Sequence, residues 1–235
     1  MINVVMVTKD RLRLMEQAVR TLKENTSSPF NLTVIDDGSE IPISAGALSM
    51  VGIEHATVLR VTSFNSKGIL GMVKNLGVYW AEKYWGRGDW LYMSDNDVYF
   101  TPGWDEKMTS LLRAVQAPTG DLLKVLAGST HPFHGANPWP PGSASTPLVT
   151  LHDAVSGYSH LMRWKTWDKY GPLDANAVGV RQSEDWAFCQ RIIKDGGVVG
   201  SIDPPVVYDC GLTDTFGEKG PGSDQIIRYE GVIQE

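Results

Sequence analysis

The sequence predicts an α/β protein built on a largely parallel, doubly wound sheet, and three observations predict it. Short aliphatic and β-branched runs alternate with stretches of helical periodicity through the first half of the chain. Acids and other polar groups follow those runs directly, at the sheet edge where open α/β sheets take their ligands. The 235 residues, 42% of them hydrophobic, are enough to bury one substantial core or two closely packed halves.

Val4 to Val7 is a short apolar run and reads as a central strand. Leu12, Met15, Val19 and Leu22 then recur at helical spacing as one apolar stripe, with Asp10 placed to cap that helix. Leu32 to Ile35 is short and β-branched, a second strand, and Asp36-Asp37-Gly38-Ser39 is its turn. Ala56 to Val61 reads as a third strand, Ile69 to Trp85 as a helix and Trp90 to Met93 as a fourth strand. Strands and helices alternating at this spacing imply right-handed parallel crossovers.

The second half is looser. Trp104 to Gln116 is predicted helical, stopped by Pro118-Thr119-Gly120, and Leu122 to Ala127 is predicted to be a strand. Residues 128–147 are rich in Gly, Pro, Ser, His and Trp, and a loop of that length reads as a functional lid or mobile segment. A strand at Gly157 to Met162, a short helix at Trp164 to Tyr170 and a helix from Glu184 to Lys194 follow, the last stopped by Gly196-Gly197. After Pro204-Pro205, Val206-Val207-Tyr208 precedes a glycine-punctuated tail.

Several function classes are disfavoured by composition. A formal net charge of −6 gives no global basic field to recruit a nucleic-acid backbone. The two cysteines, Cys189 and Cys210, show no metal-ligand spacing and read as buried thiols of a reducing compartment. The N-terminal run is too short for a signal peptide, and no segment approaches the roughly 20 apolar residues of a membrane span. A cytoplasmic location is the expectation.

The most telling feature is Asp95-Asn96-Asp97, directly after the strand-like Trp90 to Met93. Two carboxylates separated by one residue leave the strand end together and suit an oxygen-seeking divalent cation, which in turn holds a diphosphate. An Asx-rich turn is the competing explanation. Thr8, Asp10 and Arg11 follow the first strand, and Asp36 and Asp37 the second, so neighbouring parallel strands aim these groups into one crevice. A carboxylate there can accept from a base or a ribose hydroxyl, although Asp36-Asp37-Gly38 alone reads equally as turn chemistry.

Asn65-Ser66-Lys67-Gly68 leads into a helix carrying Lys74 and Asn75, where Gly68 and Gly71 permit close backbone approach and Lys67 or Lys74 could meet a phosphate. Neither a dinucleotide fingerprint nor a phosphate loop is present. In Ser183-Glu184-Asp185, Ser183 is a predicted N-cap that sets two acids in the first helical turn, which the helix dipole favours in any protein. Asp185 shares its face with Phe188, Cys189 and Ile192, so partial desolvation is expected to raise its pKa and suit it to general-base work.

In this order, these residues resemble the family-2 glycosyltransferases of the glycosyltransferase A fold. The resemblance begins at Val4 to Arg11 and continues through Val34 to Ser39, Asn65 to Asn75 and Ser94 to Asp97. It then takes in Ser156 to Trp164, Gly171 to Asp174 and the Ser183-Glu184-Asp185 helix with Arg191 and Gly196-Gly197. It covers roughly the first 200 residues and implies a single domain over residues 1–235. Residues 1–100 would form the nucleotide-sugar half of a Rossmann-like, mostly parallel sheet, and residues 101–235 the acceptor half carrying the loop at 128–147.

The resemblance implies that Thr8, Arg11, Asp36 and Asp37 hold the base and ribose, with Asn65, Gly68, Lys74 and Asn75 lining the donor site. Asp95 would sit near ribose and diphosphate, and Asp97 would coordinate Mn²⁺ or Mg²⁺. Asp185 would be the base that deprotonates an acceptor hydroxyl, with Glu184 as second candidate. The implied partners are a nucleotide sugar, a UDP-sugar by analogy, and a saccharide or other hydroxyl acceptor; inversion of the anomeric carbon is the expectation, with retention the alternative. Where many relatives carry a late histidine ligand, this chain offers Asp209, with His131, His134 and His152 in or near the loop. Asp209 as a metal ligand stands against a structural carboxylate, and Trp139 as a sugar-stacking ring stands against a packed aromatic. The rival readings are a non-catalytic nucleotide- or sugar-binding module and a nucleotidyltransferase, the latter disfavoured because Val7 to Arg11 lacks glycine. A nucleic-acid acceptor is weakened by the acidic balance.

Overall fold

The structure, a computed structural model, describes residues 1–61, 70–119, 122–129, 149–175 and 183–210. In chain order its elements are β1 (Ile2–Thr8), α1 (Leu12–Asn25), β2 (Phe30–Asp36), α2 (Ala45–Met50), β3 (Ala56–Arg60) and α3 (Leu70–Trp85). They continue with β4 (Trp90–Asp95), β5 (Val98–Phe100), α4 (Trp104–Thr119), β6 (Leu123–Ala127), β7 (Val149–His152) and β8 (Ser159–Arg163). The chain closes with α5 (Trp164–Tyr170), α6 (Glu184–Lys194), β9 (Val198–Ile202) and β10 (Val207–Asp209).

Eight strands form one sheet in the order β3-β2-β1-β4-β8-β6-β9-β7, and β10 pairs with β5 in a separate ladder. The first four neighbours are parallel, as the alternation of strands and helices requires. Two elements depart from that pattern: β8 lies antiparallel between β4 and β6, and β7 closes the far edge antiparallel to β9.

Every residue of β1 is buried, because helices cover both faces of the sheet. Alternation along the strand sends Val4 and Met6 into a core with Met15, Val19 and Leu22 of α1 and Trp104 and Met108 of α4. Val5 faces the opposite core, with Val78 and Ala81 of α3 and Phe188 and Ile192 of α6. Tyr92, Phe100 and Trp104 pack as an aromatic trio, with Tyr92 and Trp104 ring centroids 4.5 Å apart. Among the described residues no helix is long and apolar enough to cross a membrane.

Local details differ from the sequence expectation in three places. The N-cap of α1 is Arg11 in the left-handed region (φ 53°, ψ 42°), without a side-chain cap bond, and Asp10 before it also has positive φ. Helix α4 runs on to Thr119. Ser183 does stand at the N-cap of α6, but its hydroxyl donates to the Asp185 carboxylate and accepts no backbone N–H. The stop at Gly196 holds: its φ of +80° turns the chain back so that the Gly196 and Gly197 N–H groups reach Ile193 O and Ile192 O.

Helix α3 is tied to the segment before α6 through Asn75. Its amide donates to Leu173 O at 2.9 Å and accepts from Leu173 N at 2.8 Å. Leu173 is buried, so truncating Asn75 strands both backbone groups. Asn75→Ala is expected to cost about 2 kcal/mol in urea unfolding, with the m-value unchanged.

Candidate active site

Parallel register brings three strand ends to one edge. Thr8 pairs with Asp36 across β1 and β2, and Val7 pairs with Asp95 across β1 and β4. The Asn96 amide donates to Thr8 Oγ1 at 2.8 Å, fastening the Asp95-Asn96-Asp97 turn to the end of β1. Asp10 N donates to Ser39 Oγ at 2.8 Å and Asp10 Oδ1 accepts from Glu40 N at 2.7 Å, so the loops after β1 and β2 are joined as well.

Each acid of the turn is matched by a side-chain cation. Arg11 Nη1 lies 2.5 Å from Asp97 Oδ2. Lys74 Nζ lies 3.1 Å from Asp95 Oδ1, 3.4 Å from Glu184 Oε1 and 3.0 Å from Gly157 O. Lys74 is 1% exposed. Burial opposes its charge, but the carboxylates of Asp95, Glu184 and Asp185 outweigh burial and hold its pKa above the ordinary lysine value. Burial, reinforced by neighbouring Asp95, raises the Asp97 pKa to about 6 against the opposing pull of Arg11. Lys74 thus binds the end of β4 to the start of α6, and a phosphate would meet it only by displacing these partners.

At the N-terminus of α6 the two acids differ. Burial raises the pKa of Glu184, with Lys74 pulling against it. Asp185 goes the other way, and the expected rise is overturned. Burial pushes its pKa up, but the Ser183 hydroxyl, His160, Lys74 and the Gly157 N–H together hold it below the usual value. Its oxygens accept from Gly157 N at 2.9 Å, from Trp186 N at 2.7 Å and from Ser183 Oγ. Gly157 sits between Lys74 and Asp185: a Cβ there would lie 3.0 Å from Lys74 Nζ and 3.1 Å from Asp185 Cβ. A glycine is what lets a backbone N–H reach one partner and its carbonyl the other.

The remaining expected residues divide. Asp36 is fully buried, and its oxygens accept from Ser39 N at 2.8 Å and Ile43 N at 3.3 Å. Both oxygens shape the loop, the turn chemistry that Asp36-Asp37-Gly38 also suggested. Asp37 is buried beside Lys9, with Nζ 3.9 Å away. Asn75 is engaged with Leu173, so it supports the site from behind. His152 is buried against Ser201, its ring nitrogen 2.8 Å from the hydroxyl. Asn65, Gly68, Lys67, His131, His134 and Trp139 lie outside the described residues.

Asp209 pairs with Val98 across β10 and β5, and Cys210 N donates to Asp97 O at 2.7 Å, so the late strand borders the acid turn. Among the described residues no group of three His, Cys, Asp or Glu side chains is gathered as a ready metal cage. Asp95 and Asp97 nonetheless fit a hard divalent ion. They are oxygen donors from one short turn, both already balanced by cations, and Mn²⁺ or Mg²⁺ often takes only one or two carboxylates beside phosphate oxygens.

Four participants escaped the sequence reading. Asn96 lay inside the motif as a spacer yet proves to be its anchor. Arg60, at the end of β3, donates to Ser39 O at 2.8 Å and lies 3.9 Å from Asp36, and its position at a strand end was the available signal. Gly157 and His160 lie in the stretch from Ser156 to Trp164 that carries the resemblance, but neither was singled out. The His160 ring is buried, bonded to Val155 O at 3.0 Å and stacked on Phe188, and burial lowers its pKa to about 4.

No family model matches the sequence, and no curated protein does either. Solved structures do match. The mannosyltransferase PcManGT of Pyrobaculum calidifontis, in complex with GDP-Man and Mn²⁺, superposes with a TM-score of 0.58 at 13% identity, over 87% of this chain and 54% of that one. S. aureus TarS residues 1–349 in complex with UDP gives 0.62 at 14% identity, over 88% and 59%. GalNAc-T7 with UDP, GalNAc and Mn²⁺ gives 0.63 at 13% identity, over 86% and 42%. This chain thus spans about half the length of the structures it matches. At these identities the likeness is one of fold.

Proposed function

We propose that this chain, which has the glycosyltransferase A fold, transfers a sugar from a nucleotide sugar to an acceptor hydroxyl with the help of a divalent metal ion. The observation that carries the reading is the placement of Asp95-Asn96-Asp97 at the ligand edge of the sheet, joined through Lys74 and Gly157 to Glu184-Asp185. Binding alone needs no such second carboxylate opposite the first, which disfavours the non-catalytic module. The glycosyltransferase A structures it resembles were solved with UDP, with GDP-Man and with Mn²⁺, which supports a nucleotide-sugar donor and a metal.

In this reading residues 1–100 form the donor half and residues 101–235 the acceptor half. Thr8 and Asp37 line the base and ribose side, with Asp36 shaping the loop, and Arg11, expected with them, lies beside Asp97. A divalent ion held by Asp97 and Asp95, with Asp209 as the additional carboxylate, would neutralise charge on the departing diphosphate. Asp185, ionised at neutral pH, takes the proton of an acceptor hydroxyl, and attack from its side inverts the anomeric carbon. Glu184 is the lesser candidate because Lys74 already claims it. UDP-sugars are the proposed donors and a saccharide the proposed acceptor.

The test is thermal denaturation with a panel of nucleoside diphosphates and nucleotide sugars, each with and without Mn²⁺. At a hundredfold excess over Kd a ligand adds about 2.7 kcal/mol, or roughly 5–10 °C for a protein of this size. One nucleotide should give that shift, UDP foremost, and Mn²⁺ should enlarge it. A flat panel at saturating ligand would return the strand-end acids to turn chemistry. Release of pyrophosphate from a nucleoside triphosphate would instead favour a nucleotidyltransferase.

A further inference from the structure

Arg11 is held where a metal ion would have to go. Its guanidinium lies 2.5 Å from Asp97 Oδ2, and the residue occupies the left-handed region, which is uncommon for a side chain of its size. Asp10 before it shares that conformation. Strain of this kind persists only where surrounding contacts impose it, and Asp10 supplies them, bonded at N and Oδ1 to Ser39 and Glu40 of the loop after β2. The Arg11 side chain is 30% exposed, so part of it already faces solvent. A guanidinium also pairs with phosphate as readily as with carboxylate.

We propose that Arg11 is a surrogate cation: it neutralises Asp97 in the metal-free protein and transfers to the diphosphate when donor and metal bind. This inference rests on the donor-site reading above. The divalent ion and the guanidinium compete for one carboxylate, so the ion alone binds weakly. A nucleoside diphosphate gives Arg11 another anion, clears Asp97 and adds its own oxygens to the ion. Metal and nucleotide then bind with positive coupling, and by linkage each strengthens the other equally. The joined loops after β1 and β2 supply a route by which seating a base beside Asp37 also moves Arg11.

The experiment is titration with Mn²⁺, following the free aqueous ion by electron paramagnetic resonance, alone and with saturating UDP or GDP. It compares the wild type with Arg11→Gln, Arg11→Lys and Asp97→Asn. Arg11→Gln should bind Mn²⁺ alone about tenfold more tightly, and the added diphosphate should tighten it far less than in the wild type. Arg11→Lys, which keeps the charge, should stay within about threefold of the wild type on Mn²⁺ alone, and Asp97→Asn should lose the site. Unchanged or weaker binding of Mn²⁺ alone by Arg11→Gln overturns the inference while leaving the proposed function standing. Failure of the wild type to take up Mn²⁺ with either diphosphate overturns both.

Discussion

Asp97→Asn is expected to lower metal-dependent donor turnover by about a thousandfold while leaving the metal-free protein at least as stable as the wild type. The loss follows because the substitution removes the carboxylate that would anchor the ion, and electrostatic stabilisation of a departing diphosphate is commonly worth a factor of that size. The stability follows from the setting of Asp97. It is buried, and burial together with Asp95 lifts its pKa to about 6. A carboxyl whose pKa is raised in the folded state favours folding only at low pH and loses that contribution as pH rises through about 6. Above that, the wild type carries a disfavoured charge that asparagine lacks. The variant should therefore be about 1 kcal/mol more stable at pH 8, and the gain should fade as pH drops towards 4. Release of nucleoside diphosphate from the donor reports the first effect, and urea unfolding of metal-free protein across pH reports the second. Full metal-dependent turnover in the variant would remove Asp97 from the reaction.

Lys74→Met should act in the opposite sense, on the fold first. Methionine matches the stem of lysine but leaves Asp95, 29% exposed, and Glu184, 11% exposed, without the buried cation they share. Breaking a buried charge pair by removing one member costs about 3 kcal/mol or more, because the stranded charge cannot return to water. For a chain of this size that is roughly 10 °C in melting temperature. The double variant Lys74→Met with Glu184→Gln should recover about half of the loss, since the more deeply buried of the two orphaned acids is then gone. Calorimetry on the three proteins checks it. No recovery would mean that Lys74 stabilises by packing its stem and not by charge.

How much of this was legible in the sequence depends on whether the cause was local. Strands β1, β2 and β4 read correctly because each is an apolar run that a buried parallel strand requires, and α1 reads because Met15, Val19 and Leu22 mark one face. Strand β9 was missed: Val198 to Ile202 follows the glycine pair that ends α6 and is itself broken by Gly200. Strand β5 has three residues and exists through its partner β10, and helix α2 has six residues with Gly46 among them. The antiparallel insertion of β8 was equally hidden, because direction in a sheet depends on the connection, not on the strand's own residues.

The site divides the same way. The acids at the strand ends were visible, since an acid after an apolar run needs no partner to be noticed. Arg11 and Lys74 were visible too, but their pairing with these acids was not, because Arg11 and Asp97, or Lys74 and Glu184, meet only after the chain has folded. The direction of the Asp185 shift was misjudged for a related reason. Its helix face announces burial, whereas His160, Lys74 and the Gly157 N–H, which with Ser183 overrule burial, arrive from distant parts of the chain.

The ladder between β5 and β10 gives the site a timetable. Asp97 O receives its hydrogen bond from Cys210 N, and Val98 pairs with Asp209. During synthesis the acids of the turn leave the ribosome long before the strand that secures them, and translation advances at only about 5–20 residues per second. Strands β1, β2 and β3 need only one another and β4 and can assemble early, but β4 awaits β8, and the turn after it stays unsecured until residue 210 is free. A growing chain therefore carries Asp36, Asp37, Asp95 and Asp97 before the ladder that borders them exists, and the site closes in one late step.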